Sequence, residues 1–239
     1  MARANGIRLV GIDGDDTLWH SEDHFHLTEE RFAELVAPWV GADVASAALL
    51  RTERRNLQLF GYGAKGFTLS MIETALELTG HEIDGRAVER IISFGKELLS
   101  HPVELLDGVA ETLDALRGAY RLVLVTKGDL FHQESKVAAA GVAELFESVE
   151  IVAEKDPATY TRIIGRMGVA PAAFCMVGNS VRSDIAPVLD IGGAGVHVPY
   201  HVTWAMEHAE VDERHPRLAR VASIREAPDA IAHLGNGRR

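Results

Sequence analysis

The first apolar run of this chain, Ile7-Arg8-Leu9-Val10-Gly11-Ile12, is separated from the next one like it, Tyr120-Arg121-Leu122-Val123-Leu124-Val125, by more than a hundred residues. Both are short and rich in β-branched residues, which marks them as buried strands. Between them the apolar residues recur at helical spacing. Phe25 to Trp39, Ala45 to Leu59, Phe67 to Leu78 and Val88 to Leu99 give four amphipathic stretches. Pro38, Gly41, Gly61-Tyr62-Gly63 and Gly80 stand near the breaks. The first strand therefore has no partner until about residue 120, and the helical block, comparable to a small bundle, is an insertion.

After His101-Pro102 strands and helices alternate. A helix through Leu113 and Leu116 precedes the strand that ends at Thr126, and a helix from Leu130 to Ala140 stops at Gly141. Ser148 to Val152 is a short strand, and Pro157 opens a helix from Ala158 to Met167. Ala173 to Val177 is the next strand. Ser183 is placed to cap a helix through Leu189, Gly195 to Val198 is the last clear strand, and a helix is expected from Ile224 to Leu234. The tail Gly235–Arg239 reads as frayed. Repeated strand–helix units predict a Rossmann-like α/β core with a parallel sheet covered on both faces. The expected domains are a core of residues 1–19 and 102–239 and an all-helical domain of 20–101.

The totals exclude several functions. Formal net charge is −11, against the basic face that a nucleic-acid or anionic-membrane partner requires. No apolar run approaches the ~20 residues of a membrane span, and the first residues lack a signal-peptide apolar core. A single cysteine, Cys175, rules out an internal disulfide, and cytoplasm is the expected compartment. Oligomeric state is not legible.

Ligands of open parallel sheets bind beyond the carboxyl ends of the strands. At those ends stand Asp13 and Asp15, Thr126-Lys127, Lys155, Asn179 and Asp184. Asp13 and Asp15 project to one side of an extended chain, and two such acids need a cation or a shared proton to coexist. Each residue alone has a bland reading as a cap, a solvated charge or a turn. Their gathering at strand ends points to a catalytic or metal site.

The same residues resemble the motifs of the haloacid dehalogenase superfamily, most of whose members are phosphohydrolases. Asp13, Asp15 and Thr17 match its Asp-x-Asp-x-Thr motif after an apolar strand. Thr126 matches the Thr or Ser that ends the second strand, and Lys155 the Lys that precedes a helix. Gly178-Asn179 with Asp184 matches in part the fourth motif, which usually carries an acid where Asn179 stands. The helical insertion is similar to the family's type-one cap. The resemblance implies a Mg²⁺-dependent phosphatase of small phosphorylated metabolites. In it Asp13 is the nucleophile and Asp15 the acid/base. Thr126 bonds a phosphoryl oxygen, and Lys155 balances charge and holds Asp13. The implied Mg²⁺ ligands are Asp13, Asp15 through its carbonyl, Asn179 and Asp184, with weaker binding because Asn179 carries no charge. A haloacid dehalogenase, a phosphomutase, or a non-catalytic member that binds a phospho-ligand or partner are the alternatives. Asp16, where the family often has Gly, is read as mild variation.

Thr17, Lys127, Lys65 and Arg54 are the candidate substrate contacts. Lys65 lies in Phe60-Gly61-Tyr62-Gly63-Ala64-Lys65-Gly66, a helix–helix connection first and, in its functional reading, a cap loop that selects the leaving group, with Arg54 and Arg55 beside it. His20, His24 and His26 match no zinc spacing and read as helix-start polarity. His197 and His201 read as loop residues near the sheet edge. Cys175 reads as a small buried hydrophobe, and the tryptophans as packing, with Trp19 near enough to line the site.

Overall fold

The computed structural model describes residues 6–236. Residues 1–5 and the end of the expected frayed tail, 237–239, lie outside the described residues. In chain order, β1 (Leu9–Ile12) is followed by four helices, α1 (Glu22–Val36), α2 (Ala42–Phe60), α3 (Ala64–Leu78) and α4 (Gly85–Ser100). Helices and strands then alternate: α5 (Val109–Arg117), β2 (Arg121–Lys127), α6 (Leu130–Ala140), β3 (Ser148–Val152) and α7 (Pro157–Arg166). β4 (Phe174–Gly178), α8 (Ala186–Asp190), β5 (Ala194–His197), β6 (Leu218–Arg220) and α9 (Ala227–Asn236) complete them.

The strands form one parallel sheet in the order β3-β2-β1-β4-β5-β6. The expected α/β fold is the one observed. β1 is central because all four of its residues are buried and it pairs with β2 on one side and β4 on the other. Strand order reverses there, which places the crevice of an open sheet at the carboxyl ends of β1 and β4. Successive side chains point to opposite faces. Val10, Ile12, Leu122, Leu124, Cys175 and Val177 pack with α5 and α9, while Leu9, Val123, Val125, Phe174 and Met176 pack with α7 and Val188.

Three local expectations change. Ser180, not Ser183, is the cap: its side chain accepts from the Ser183 N–H, and a π-helical turn, Val181–Ile185, leads into α8. β6 escaped the periodicity reading because it is three residues long and only half-buried. Gly235 and Asn236, read as frayed, close α9.

By their contacts, Ser21–Pro102 with Gly128–His132 form one compact unit and the remaining described residues the other. The helical unit packs Phe32, Val36, Leu49, Phe67, Met71, Ile91 and Phe94 into an apolar interior. Asn56 is buried within it and donates to Glu73 at 2.6 Å. No helix among the described residues is long and apolar enough to cross a membrane.

Candidate active site

β1 delivers Asp13 to the carboxyl edge of the sheet, where its N–H donates to the Val177 carbonyl of β4 at 3.0 Å. The chain then turns sharply. The Gly14 carbonyl accepts from Thr17, Leu18 and Trp19, and Asp16 takes a left-handed φ of 62°. Asp tolerates that conformation better than most residues, so Asp16 serves the turn through its backbone. A Cβ at Gly14 would lie 2.6 Å from Trp19 Cζ2 and 3.2 Å from Thr126 Oγ1. Glycine therefore lets the turn pack against Trp19 and beside Thr126.

Asp13 is buried, and its two oxygens have different partners. Lys155 Nζ donates to Oδ1, and Thr17 Oγ1 donates to Oδ2 at 3.1 Å. Lys155, brought in by the segment between β3 and α7, also donates to Asp184 Oδ1 at 2.7 Å. Burial pushes the Asp13 carboxyl up, Asp184 adds to this, and the Lys155 ammonium opposes it. Burial works against the charge of Lys155, but Asp13 and Asp184 outweigh it and keep it protonated. Two buried carboxyl groups thus share one ammonium, and ionising both leaves a negative charge out of water. Such a charge favours an added cation.

Asp15 lives in a different environment. Lys136 of α6 donates to its Oδ1 at 2.6 Å, as does Trp19 Nε1, also at 2.6 Å, and Gln133 donates to Oδ2 at 3.2 Å. Burial works against the charge of Asp15, but Lys136 and these hydrogen bonds win and hold the carboxyl below its usual range. Gln133 also donates to Thr126 Oγ1. That leaves the single hydroxyl proton of buried Thr126 free to reach another acceptor.

At the end of β4, the Asn179 N–H donates to Thr17 Oγ1 at 3.1 Å, and the His197 ring meets the Asn179 carbonyl at 3.0 Å. Thr17 has one proton and lies nearer Asp13 Oδ2 than Asn179 Oδ1, which is 3.4 Å away. The Asn179 amide oxygen is left able to accept from, or ligate, something else. Ser180 N–H donates to Asp184 Oδ2 at 3.0 Å. A Cβ at Gly178 would lie 2.3 Å from that same Oδ2, so glycine makes the room that Asp184 occupies. Among the described residues no three His, Cys, Asp or Glu side chains gather to hold an ion. An ion at Asp13 and Asp184 would complete its shell with neutral oxygens and water, the habit of Mg²⁺.

The family model described as haloacid dehalogenase-like hydrolase matches residues 7–192. The chain belongs to the haloacid dehalogenase-like hydrolases. A haloacid dehalogenase-like family hydrolase from Xanthomonas campestris superposes with a TM-score of 0.88 at 44% identity, covering 99% of this chain and 95% of that one. A HAD-hydrolase from Bacillus subtilis, solved bound to magnesium, superposes with a TM-score of 0.65 at 16% identity, covering 95% of this chain and 100% of that one, and at that identity it speaks for the fold alone. The mouse N-acylneuraminate-9-phosphatase is 30% identical over 127 residues, 50% of this chain and 51% of that protein. The human protein of that name is 26% identical over 125 residues, again 50% of each. The chain therefore spans about half the length of these relatives.

Within this haloacid dehalogenase-like core Asp13, Thr17, Lys155, Asn179 and Asp184 form one hydrogen-bonded group, in which Lys155 joins the two carboxyls, and Gln133 joins Asp15 and Thr126 in a second. Lys127 turns to Glu207 at 2.6 Å and Ser183 at 3.0 Å, so its charge already has a partner. Lys65 and Arg54 belong to the helical unit. Lys65 pairs with Asp129 at 2.9 Å, and Arg54 is exposed on α2. The neighbouring Arg55 bridges Glu73 and Glu77 at 2.7 and 3.0 Å. Of the histidines, His20 meets the Tyr200 hydroxyl at 2.6 Å and His26 approaches Glu30 at 3.6 Å. His24 stacks on His101 at 3.6 Å between ring centroids. Three residues of the site were not singled out from sequence: Gln133, Lys136 and Glu207. The first two stand three apart on α6, spacing that puts them on one face of the helix that follows Thr126.

Proposed function

We propose that this hydrolase is a Mg²⁺-dependent phosphatase of small phosphorylated metabolites, working in the cytoplasm through an aspartyl-phosphate on Asp13. The observation that carries the reading is the sharing of one buried ammonium, Lys155, by Asp13 and Asp184. It leaves two carboxyl groups with one balancing charge at the carboxyl end of the sheet, the end at which β2 carries the hydroxyl of Thr126. The phosphatase names of the mouse and human relatives support a phosphate monoester as substrate.

In this mechanism an oxygen of Asp13 attacks phosphorus and the bond to the leaving oxygen breaks. Asp15 gives that oxygen a proton. Water then attacks the phosphorus of the aspartyl-phosphate, Asp15 takes the water's proton, and the Asp13 carboxylate departs. Thr126 donates to a phosphoryl oxygen, and Lys155 holds Asp13 and offsets developing charge. Asp13, Asp184, the Asn179 amide oxygen and the Asp15 carbonyl would hold Mg²⁺. The ion would offset repulsion between Asp13 and the incoming phosphate. Paired with Lys136, Asp15 is in the acceptor form that the second step needs. To serve in the first it has to leave Lys136 and Trp19 and carry a proton, which it gives to the leaving oxygen and regains from water in the second step. The helical unit acts as a cap that selects the leaving group.

Hydrolysis of an aryl phosphate, measured with Mg²⁺, with chelator and with Asp13→Asn, tests this reading. Activity is expected only for the unaltered protein with Mg²⁺. Turnover that survives either the chelator or the substitution contradicts the mechanism. A dehalogenase would turn over a haloacid without metal and without dependence on Asp15.

A further inference from the structure

Glu207 lies in the irregular segment between β5 and β6, yet its side chain is only 15% exposed and its partners are all at the candidate site. Lys127 Nζ donates to Oε1 at 2.6 Å. Oε2 accepts from the hydroxyls of both Ser180, at 2.6 Å, and Ser183. Those serines belong to the turn between β4 and α8. Ser180 Oγ accepts from the Ser183 N–H at 3.0 Å, and the Ser180 N–H donates to Asp184 Oδ2, also at 3.0 Å. Tyr160 O–H closes the same turn from α7 by donating to the Ser183 carbonyl at 2.9 Å. Glu207 is itself fixed: its N–H donates to the Trp204 carbonyl, and Arg182 donates to the carbonyl of the preceding Met206 at 2.7 Å.

We propose that Glu207 is a positioning residue that orients Asp184 toward a divalent cation by holding the hydroxyls of Ser180 and Ser183. A carboxylate is an acceptor with no proton of its own, so it directs each serine hydroxyl toward itself. With its proton committed, Ser180 Oγ can only accept from the Ser183 N–H, and the turn is locked in the form in which the Ser180 N–H faces Asp184. Without Glu207 both buried hydroxyls are free to rotate toward backbone carbonyls, the competition by which serine loosens local structure. Charge-assisted bonds of this kind are stronger than neutral ones, and the turn carries three more bonds that depend on them. Lys127, only 11% exposed, also loses the nearer of its two carboxylate partners, Glu154 standing at 3.5 Å. Carboxylate ligands are commonly oriented by such hydrogen-bonded neighbours. The Glu207 carboxylate acts through the two serines, which are its hydroxyl partners.

The inference rests on the Mg²⁺ reading of the site, and the test separates the two. Mg²⁺ affinity is measured by calorimetry for the wild type, Glu207→Ala, Glu207→Gln, Ser180→Ala/Ser183→Ala, and Glu207→Ala combined with both serine changes. Unfolding midpoints are taken in chelator. We expect Kd to weaken by about tenfold in Glu207→Ala. The serine pair should weaken it similarly, and the triple variant should add little beyond either, the non-additivity of groups acting through one another. Glu207→Gln, which retains an acceptor, should fall between wild type and Glu207→Ala and serves in its place if the alanine variant does not fold. A wild-type Kd in the Glu207 variants, or losses that add fully in the triple variant, would overturn the proposal. So would a lower midpoint in chelator with unchanged Mg²⁺ affinity, the mark of a purely structural residue. If the wild type binds no Mg²⁺, the proposed function falls and this inference with it. If the wild type binds and the variants match it, this inference falls alone.

Discussion

Lys155 and Lys136 divide the two aspartates of the β1 turn between them. Asp13 shares its ammonium with Asp184, whereas Asp15 has Lys136 and Trp19 to itself and shares Gln133 with Thr126. Neighbouring carboxylates with opposed environments are the usual way to separate a nucleophile from an acid/base. Lys136 therefore controls when Asp15 titrates. An aryl phosphate has a good leaving group and places little demand on a general acid, so the acid limb of its kcat profile reports Asp15 as a base. Because Lys136 depresses the Asp15 pKa, Lys136→Met should raise it and move that limb to higher pH, by about one unit for each 1.36 kcal/mol of lost interaction. A limb that stays in place while activity falls would show that Lys136 acts otherwise. The roles of Asp13, Asp15, Thr126 and Lys155 are legible as expectations because each ends or follows an apolar run. Lys136 is not, since its meaning depends on which face α6 turns to the sheet, and a helix of mixed polarity does not announce that face.

The elements that position the site are short turns with steric conditions attached. Gly178 ends β4 directly beneath the Asp184 carboxylate, and the π-helical turn brings Asp184 back over it. Gly178→Ala should displace Asp184, weaken Mg²⁺ binding by about tenfold or more, and destabilise the protein by about 1–3 kcal/mol as overpacking does. Calorimetry and urea unfolding check the two parts. The sequence pattern shows Gly178-Asn179 ending a strand but not the carboxylate that requires the glycine. Nor does it show Glu207, which reaches Ser180 from 27 residues away through irregular chain with no period to read. In the helical unit, Glu53 of α2 is a second case of burial deciding a charge. Burial pushes its carboxyl up to about 8, with Glu29 of α1 adding repulsion. A carboxyl raised in the folded state favours the fold while protonated. That contribution is full below the unfolded value of 4.5 and is lost as pH rises through about 8. Glu53→Gln should thus have little effect near pH 4 and stabilise the protein above pH 8, by an amount on the order of a few kcal/mol. Denaturant unfolding at the two pH values measures it. Equal effects at both would contradict the assignment.

At the scale of the whole molecule, one parallel sheet gathers residues that lie 171 positions apart, Asp13 and Asp184, because β1 and β4 are neighbours in it. The long gap before β2 and the regular alternation after it made this topology legible, whereas β6 and the division at Gly128–His132 were not, being too short to carry a pattern. A chain with a net charge of −11 that sets two carboxyl groups against one ammonium at its sheet edge should gain stability from a divalent cation. Mg²⁺ at 100 times its Kd should raise stability by about 2.7 kcal/mol, and chelator should remove the gain. Asp184→Asn should lose most of it, as thermal unfolding would show. The central claim is covalent: Asp13 carries the phosphoryl group between the two chemical steps. Rapid quench of the wild type with a phosphate ester and Mg²⁺, followed by peptide mass spectrometry, tests it most directly. The account predicts one added phosphoryl group on the peptide containing Asp13, labile to hydroxylamine and absent from Asp13→Asn. Steady turnover with that peptide never labelled, or with the label on another residue, would contradict it.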